Sequence, residues 1–185
     1  MKVRLFKNSL RPRARMIGIV YLLYFLAAIL AQLLTSRNHV DYGNGANFIA
    51  TGLYCLVTLL FYYLFKPVSR MLSLVAAFFS LVGCIVMTLE LFRPTSLSTN
   101  PLLFFGPYCL LIGYLIFKST FLPRILGVLM ALAGAGWLVF LIPNLPSYLS
   151  LSLEGLGICA EASLMIWLIV RGVNIERWKQ QAGAA

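Results

Sequence analysis

Charged side chains are scarce in this chain: Asp, Glu, Lys and Arg make up 11% of its 185 residues, and only five are acidic. Soluble globular domains carry about a quarter, so the soluble class is excluded. The single histidine, His39, leaves no histidine pair for haem and no base beside a nucleophile. The four cysteines are never paired at metal-ligand spacing. We therefore expect no catalytic residues, no metal and no cofactor.

Apolar residues dominate instead, at 61% of the chain with a mean hydropathy of +0.91. A transmembrane helix needs about 20 mainly apolar residues, and six stretches qualify. The sequence predicts an all-α polytopic membrane protein with a basic leader at 1–15, a six-helix transmembrane bundle at 16–172 and a tail at 173–185. The six expected spans are 16–34, 47–65, 71–92, 101–117, 123–142 and 151–170.

Positive charge is distributed unevenly about these spans. Of fifteen lysines and arginines, all but Arg37 and Arg93 fall on one side. Cytoplasmic loops carry such an excess, so we expect both termini in the cytoplasm. Each cation near an anionic bilayer contributes about 1 kcal/mol of attraction. The expected partners are therefore anionic lipids of the cytoplasmic leaflet, with no role in binding nucleic acid.

Some local sequences recur along the chain. Arg15, Arg70 and Arg124 open the three outward-running helices at nearly equal intervals. The second and fourth spans both contain Tyr-Cys-Leu, starting at Tyr54 and Tyr108. These matches fit a repeated helical hairpin. They also fit a chain in which topology alone places a cation before each apolar helix.

Two glutamates interrupt the last span. At 100° per residue, Glu154 and Glu161 lie on one helix face. Counted from Arg171, Glu161 lies about 15 Å deep, near the bilayer midplane, whereas Glu154 lies near the outer interface. Glu154 is expected to meet Arg93 or Arg37, or simply to face water.

Glu161 is the candidate site. An ionised side chain at the helix centre costs about 3 kcal/mol, and no lysine or arginine is expected at that depth. We therefore expect a protonated, neutral acid that bonds to a neighbouring helix. Its role is either functional, as in a proton relay, or structural, as a link between helices. Counting depth gives these candidate partners: Tyr24, Tyr54, Thr58, Ser80 and Tyr108.

Small residues at spacing four mark faces where membrane helices approach closely. They predict contact between the fifth and sixth spans along two rows: Gly127, Ala131 and Ala135 on one helix, and Gly155, Cys159 and Ser163 on the other.

Three segments resemble an uncharacterised bacterial integral-membrane family, the domain of unknown function numbered four-three-eight-six. They are GYLIFKSTFLPRILGVLMALAGAGW (113–137), YYLFKPVSRMLSLVAAFF (62–79) and EASLMIWLIVRGVN (161–174). The resemblance implies six helices, a bacterial inner membrane and no known activity. It also implies that Glu161 occupies a usual glutamate position. The resemblance further implies that the family often has a basic residue where this chain has Ser80 and a histidine where it has Tyr108. This chain would then lack the charged partners that could pair with Glu161, which again favours the protonated acid.

Together these features favour a non-enzymatic inner-membrane protein. Its buried acid would organise the bundle or a small binding cavity in an accessory, sensory or scaffolding component, with another membrane subunit as a further candidate partner. The first alternative is a small transporter or proton-coupled carrier that uses Glu161. A lipid-modifying enzyme is the third class.

Overall fold

The computed structural model describes residues 10–92, 100–142 and 146–183. These ranges form helices and contain no β-strand, so the expected all-α class is confirmed for them. The helices are α1 (Leu10–Ser36), α2 (Val40–Phe65), α3 (Arg70–Phe92), α4 (Leu102–Lys118), α5 (Arg124–Val139), α6 (Ser147–Val170) and α7 (Ile175–Gly183).

Four of these helices, α1, α2, α3 and α6, are long and apolar enough to cross a membrane. The other two apolar helices, α4 and α5, have 17 and 16 residues, which correspond to about 25 Å of helix against about 30 Å of hydrocarbon. The structure therefore supports four of the expected spans by length and composition. The full count of six stays a prediction, as does the repeated hairpin.

The six apolar helices form a closed ring. Each helix packs against the next one in sequence, and α6 returns to pack against α1. The large side chains fully buried within this bundle include Tyr21, Phe61, Tyr108, Met130 and Leu164. One end of the ring carries the cations that lie at the helix ends, and we call it the basic end; its members are Lys66, Arg70, Lys118, Arg124 and Arg171.

Prolines and glycine place several helix boundaries. Pro101, Pro123 and Pro146 each stand immediately before a helix, where the fixed φ of proline suits the first turn and its missing N–H is not needed. At the other end of α6, Gly172 has a φ of +67° and its N–H bonds to the Trp167 carbonyl at 3.0 Å. This left-handed residue ends the helix at the basic end.

Backbone contact is closest between α4 and α5. A Cβ added to Gly113 would lie 2.7 Å from both Ala131 N and Gly127 O, and one added to Gly134 would lie 2.7 Å from Gly106 O. Since real Cβ atoms do not approach so closely, only glycine permits this packing. The interface uses glycines at spacing seven on both helices: Gly106 and Gly113 on α4, and Gly127 and Gly134 on α5.

The expected packing rows are therefore wrong. Gly127 does pack closely, but against α4, and Ala135 is exposed. Gly155 has open space beside it and Cys159 is exposed. The α5–α6 contact instead places the ring of Trp137 against Gly157. A large side chain set against a glycine fills this interface, which a search for two matching small rows does not detect.

The expected tail contains the short helix α7, which is bonded to the basic end. Trp178 Nε1 donates to the Leu64 carbonyl at 2.9 Å, and Thr120 N donates to Gln181 Oε1 at 3.2 Å. The Asn174 N–H donates to the Phe121 carbonyl at 3.2 Å. These bonds attach the residues after α6 to the end of α2 and to the α4–α5 turn.

The glycine interface predicts that Gly113→Ala lowers stability by about 1 to 3 kcal/mol, because the new methyl group meets backbone atoms that cannot rotate away. The matched control is Gly155→Ala, which should be neutral or stabilising by up to about 1 kcal/mol, since the site is open and helical. Thermal melting in detergent compares the two. Equal melting temperatures would contradict the predicted close approach of α4 and α5.

Candidate functional site

Glu161 lies inside the ring, with 8% of its surface exposed. The Tyr21 hydroxyl of α1 donates a hydrogen bond to Glu161 Oε2 at 2.7 Å, and Tyr21 itself is 1% exposed. Because α1 and α6 close the ring, this bond joins its first and last apolar helices. The expectation of a buried acid bonded to a neighbouring helix is met, but through a tyrosine outside the expected set.

Charge is missing around this carboxyl. Among the side chains that the structure describes (residues 14–92, 100–142 and 146–183), Tyr21 is the hydrogen-bonding partner of Glu161, and no lysine or arginine forms an ion pair with it. A buried carboxylate without a cation would keep the full cost of desolvation. The neutral acid can instead accept from Tyr21 at one oxygen and retain an O–H at the other.

Aromatic side chains surround the Tyr21–Glu161 pair. The ring of Tyr24 lies 4.8 Å from that of Tyr54, centroid to centroid, and Tyr54 lies 6.1 Å from Tyr108. Tyr21 contacts both Tyr24 and Tyr54, at 5.9 and 6.4 Å. The tyrosines named from sequence therefore belong to one cluster around Glu161.

The two expected hydroxyl residues, Thr58 and Ser80, bond to each other across α2 and α3. Their Oγ atoms lie 2.6 Å apart, and Thr58 also donates to the Tyr54 carbonyl at 3.0 Å. Both are buried, but they bond to each other and not to Glu161. The Tyr108 hydroxyl is buried and has no hydrogen-bond partner among the described residues.

A cavity of about 210 Å³ reaches Glu161 from the side away from the basic end. All six apolar helices contribute to its lining, which extends to Leu102, the first residue of α4. The lining is mainly apolar and aromatic. Six residues, one per helix, define it: Tyr24, Tyr54, Cys84, Phe105, Trp137 and Glu161.

Glu154 lies outside this site. Its side chain is exposed and takes no part in the hydrogen bonds inside the ring. Arg93, one of its two expected partners, lies outside the described residues. Glu154 and Glu161 share a helix yet differ in burial, which makes Glu154 a useful control.

Depth counting missed Tyr21. Along α1 the Cα atom of this residue lies about 4.5 Å nearer the basic end than that of Tyr24. The depth count compares Cα positions only and ignores the length of the side chain. The long tyrosine side chain covers that difference and brings its hydroxyl to the carboxyl. The signal that could have found it is the spacing of Tyr21 and Tyr24, which places both on neighbouring faces of one helix.

The described residues offer little for metal binding. Among them, no group of three or more His, Cys, Asp and Glu side chains lies close enough to hold an ion. The four thiols are free, with Cys84 and Cys109 buried.

Comparison with known proteins bears on the same part of the chain. Residues 98–172 match the family described as Domain of unknown function (DUF4386). This match covers α4, α5 and α6, includes Glu161, and confirms the resemblance inferred for the segments at 113–137 and 161–174 apart from its last two residues. The resembling segment at 62–79 lies outside the match.

One relative of this chain comes from Archaeoglobus fulgidus. It is an uncharacterised protein, 25% identical over 122 residues, which cover 63% of this chain and 75% of the relative. No solved structure matches the chain.

The Tyr21–Glu161 bond predicts that Tyr21→Phe lowers stability by about 1 to 3 kcal/mol, because it leaves a buried carboxyl oxygen without its donor. In a Glu161→Leu background the same change should have little effect, since neither polar partner remains. Tyr24→Phe serves as the matched control and should cost less. Melting in detergent measures all four variants, and equal losses in both backgrounds would contradict the bond.

Proposed function

We propose that this is an integral membrane protein that binds a small, mainly apolar molecule in the six-helix cavity and acts as a sensory or accessory component, not as an enzyme. One observation carries the proposal: a cavity lined by all six helices ends at a buried carboxyl that has no cation beside it in the part of the chain that the structure describes. Ligand pockets of this type combine apolar surface with a few placed polar groups.

Glu161 has two tasks in this proposal. It joins α6 to α1 through Tyr21, and it presents a polar atom to the cavity that its side chain lines. A ligand that contacts Glu161 would therefore act on the contact that closes the ring. Binding would be transmitted to helix packing, as a sensory or accessory component requires.

Orientation follows from charge. We propose that the basic end lies at the cytoplasmic face of a bacterial inner membrane, where its cations meet anionic lipids. The cavity then lies in the opposite half of the bilayer and is reached from the outer side. Leu102 and Asn47, which line it, would mark that side.

The proposal predicts that tert-butylbenzene or phenyltrimethylammonium, two probes of the same shape, binds the full chain at one site. Ala28→Phe, which places a ring inside the cavity lining, should abolish that binding. Ala135→Phe makes the same change at an exposed position of α5 and should leave binding unchanged. Equilibrium dialysis with protein in lipid nanodiscs measures each. Failure of both probes to bind would refute the proposed function.

A second candidate, a proton-coupled carrier, is favoured by the accessibility of Glu161 from a cavity at one side. The two functions differ in vesicles. A carrier would move phenyltrimethylammonium against its gradient when a pH gradient is imposed, and Glu161→Gln would abolish that movement. A binding component would show saturable binding in the same vesicles without accumulation in the lumen.

A further inference from the structure

We infer that the cavity accepts a small organic cation, held by the carboxylate of Glu161 and by the aromatic rings around it. The inference rests on the proposed binding function and names its ligand class. It depends on the combination of one acid, several aromatic faces and the absence of any positive charge in the described lining.

Aromatic rings form much of the lining. Tyr24 and Tyr54 lie 4.8 Å apart, and Tyr54 meets Phe105 at 5.5 Å in an edge-to-face arrangement. Trp137 adds a fourth aromatic side chain from α5. Aromatic faces attract cations through the ring quadrupole, and cages of such rings recognise quaternary ammonium groups.

The charge of the lining selects among ligands. Its described residues include Glu161 and other polar side chains, namely two tyrosines, Asn47, Thr51 and Cys84; none of these described residues is a lysine, arginine or histidine. Thr51 Oγ1 is already bonded to the Asn47 carbonyl at 2.9 Å. A bound anion would lie beside the acid Glu161 and would find no positive charge in the described lining to stabilise it. A cation would supply the partner that this carboxyl lacks.

The cavity also has a suitable size. A protein cavity of about 150 Å³ accommodates benzene, whereas this one measures about 210 Å³. An aryl or alkyl ammonium ion somewhat larger than benzene therefore fits. Its apolar groups would lie against the rings and its charge would lie near Glu161.

Binding of a permanent cation releases one proton. In the empty cavity the carboxyl carries its proton and is neutral; in the complex it is the carboxylate, and the proton leaves to bulk water while the quaternary ammonium replaces its charge. The titratable groups that face Glu161 are otherwise the tyrosines Tyr21, Tyr24, Tyr54 and Tyr108 and the thiols Cys84 and Cys109. Tyrosine and cysteine are uncharged at neutral pH in their ordinary state, so affinity for the cation should rise about tenfold per pH unit while Glu161 stays protonated.

The test compares phenyltrimethylammonium with tert-butylbenzene, its neutral isostere, in equilibrium dialysis against the full chain in nanodiscs. We expect the cation to bind at least about tenfold more tightly at pH 8, and its affinity to fall as pH is lowered. Glu161→Gln should remove the preference for the cation and its pH dependence. Glu154 is an exposed acid on the same helix, and Glu154→Gln should change neither the preference for the cation nor its pH dependence. Phe105→Leu should lower the affinity for the cation by about threefold or more.

The outcomes separate the two levels of the proposal. Equal binding of the cation and its isostere to the unaltered protein would overturn the cation inference and leave the proposed binding function standing. Equal affinity of Glu161→Gln and the parent chain for the cation at pH 8 would likewise overturn the cation inference and leave the proposed binding function standing. Failure of both probes to bind would overturn the proposed function together with the inference.

Discussion

A carboxyl group inside a ring of apolar helices, with no cation beside it among the described residues, is the constraint on which this structure depends. Glu161 is 8% exposed and its bond partner is the neutral hydroxyl of Tyr21. Burial opposes the ionised form, so a neutral acid is the form that the surroundings accommodate. The polar centre of the cavity, part of the α1–α6 contact and the proposed choice of ligand all depend on that one group.

Helix packing determines how much space the carboxyl faces. The glycines of α4 and α5 bring those two backbones together, and Trp137 lies against Gly157 of α6. Contact at these interfaces is close, whereas toward the ring interior a cavity of about 210 Å³ remains. The glycines that permit this close packing do not themselves line the cavity. Between α1 and α6 the contact depends partly on the Tyr21–Glu161 bond. The carboxyl group of Glu161 therefore contributes both to helix packing and to the proposed binding site.

Much of this arrangement could be predicted from sequence because hydropathy and helical rise are simple quantities. They predicted the helical class, the burial of Glu161 and the shared depth of Tyr24, Tyr54 and Tyr108. What they could not give depends on side-chain length and on helix rotation. Tyr21 reaches the carboxyl from a different level, Thr58 and Ser80 bond to each other, and Gly127 faces α4. A periodic pattern predicts which residues share a helix face, but not which neighbouring helix packs against that face.

The charge state of Glu161 is the most direct measurement of the central claim. The difference infrared spectrum between the parent chain and Glu161→Gln at pH 7 isolates this carboxyl, because the other four acids are common to both proteins. The account predicts the loss of a protonated carboxyl C=O band in the variant, shifted by deuteration in the parent chain. Loss of a carboxylate band instead would show that the acid is ionised in the empty protein and would contradict the account.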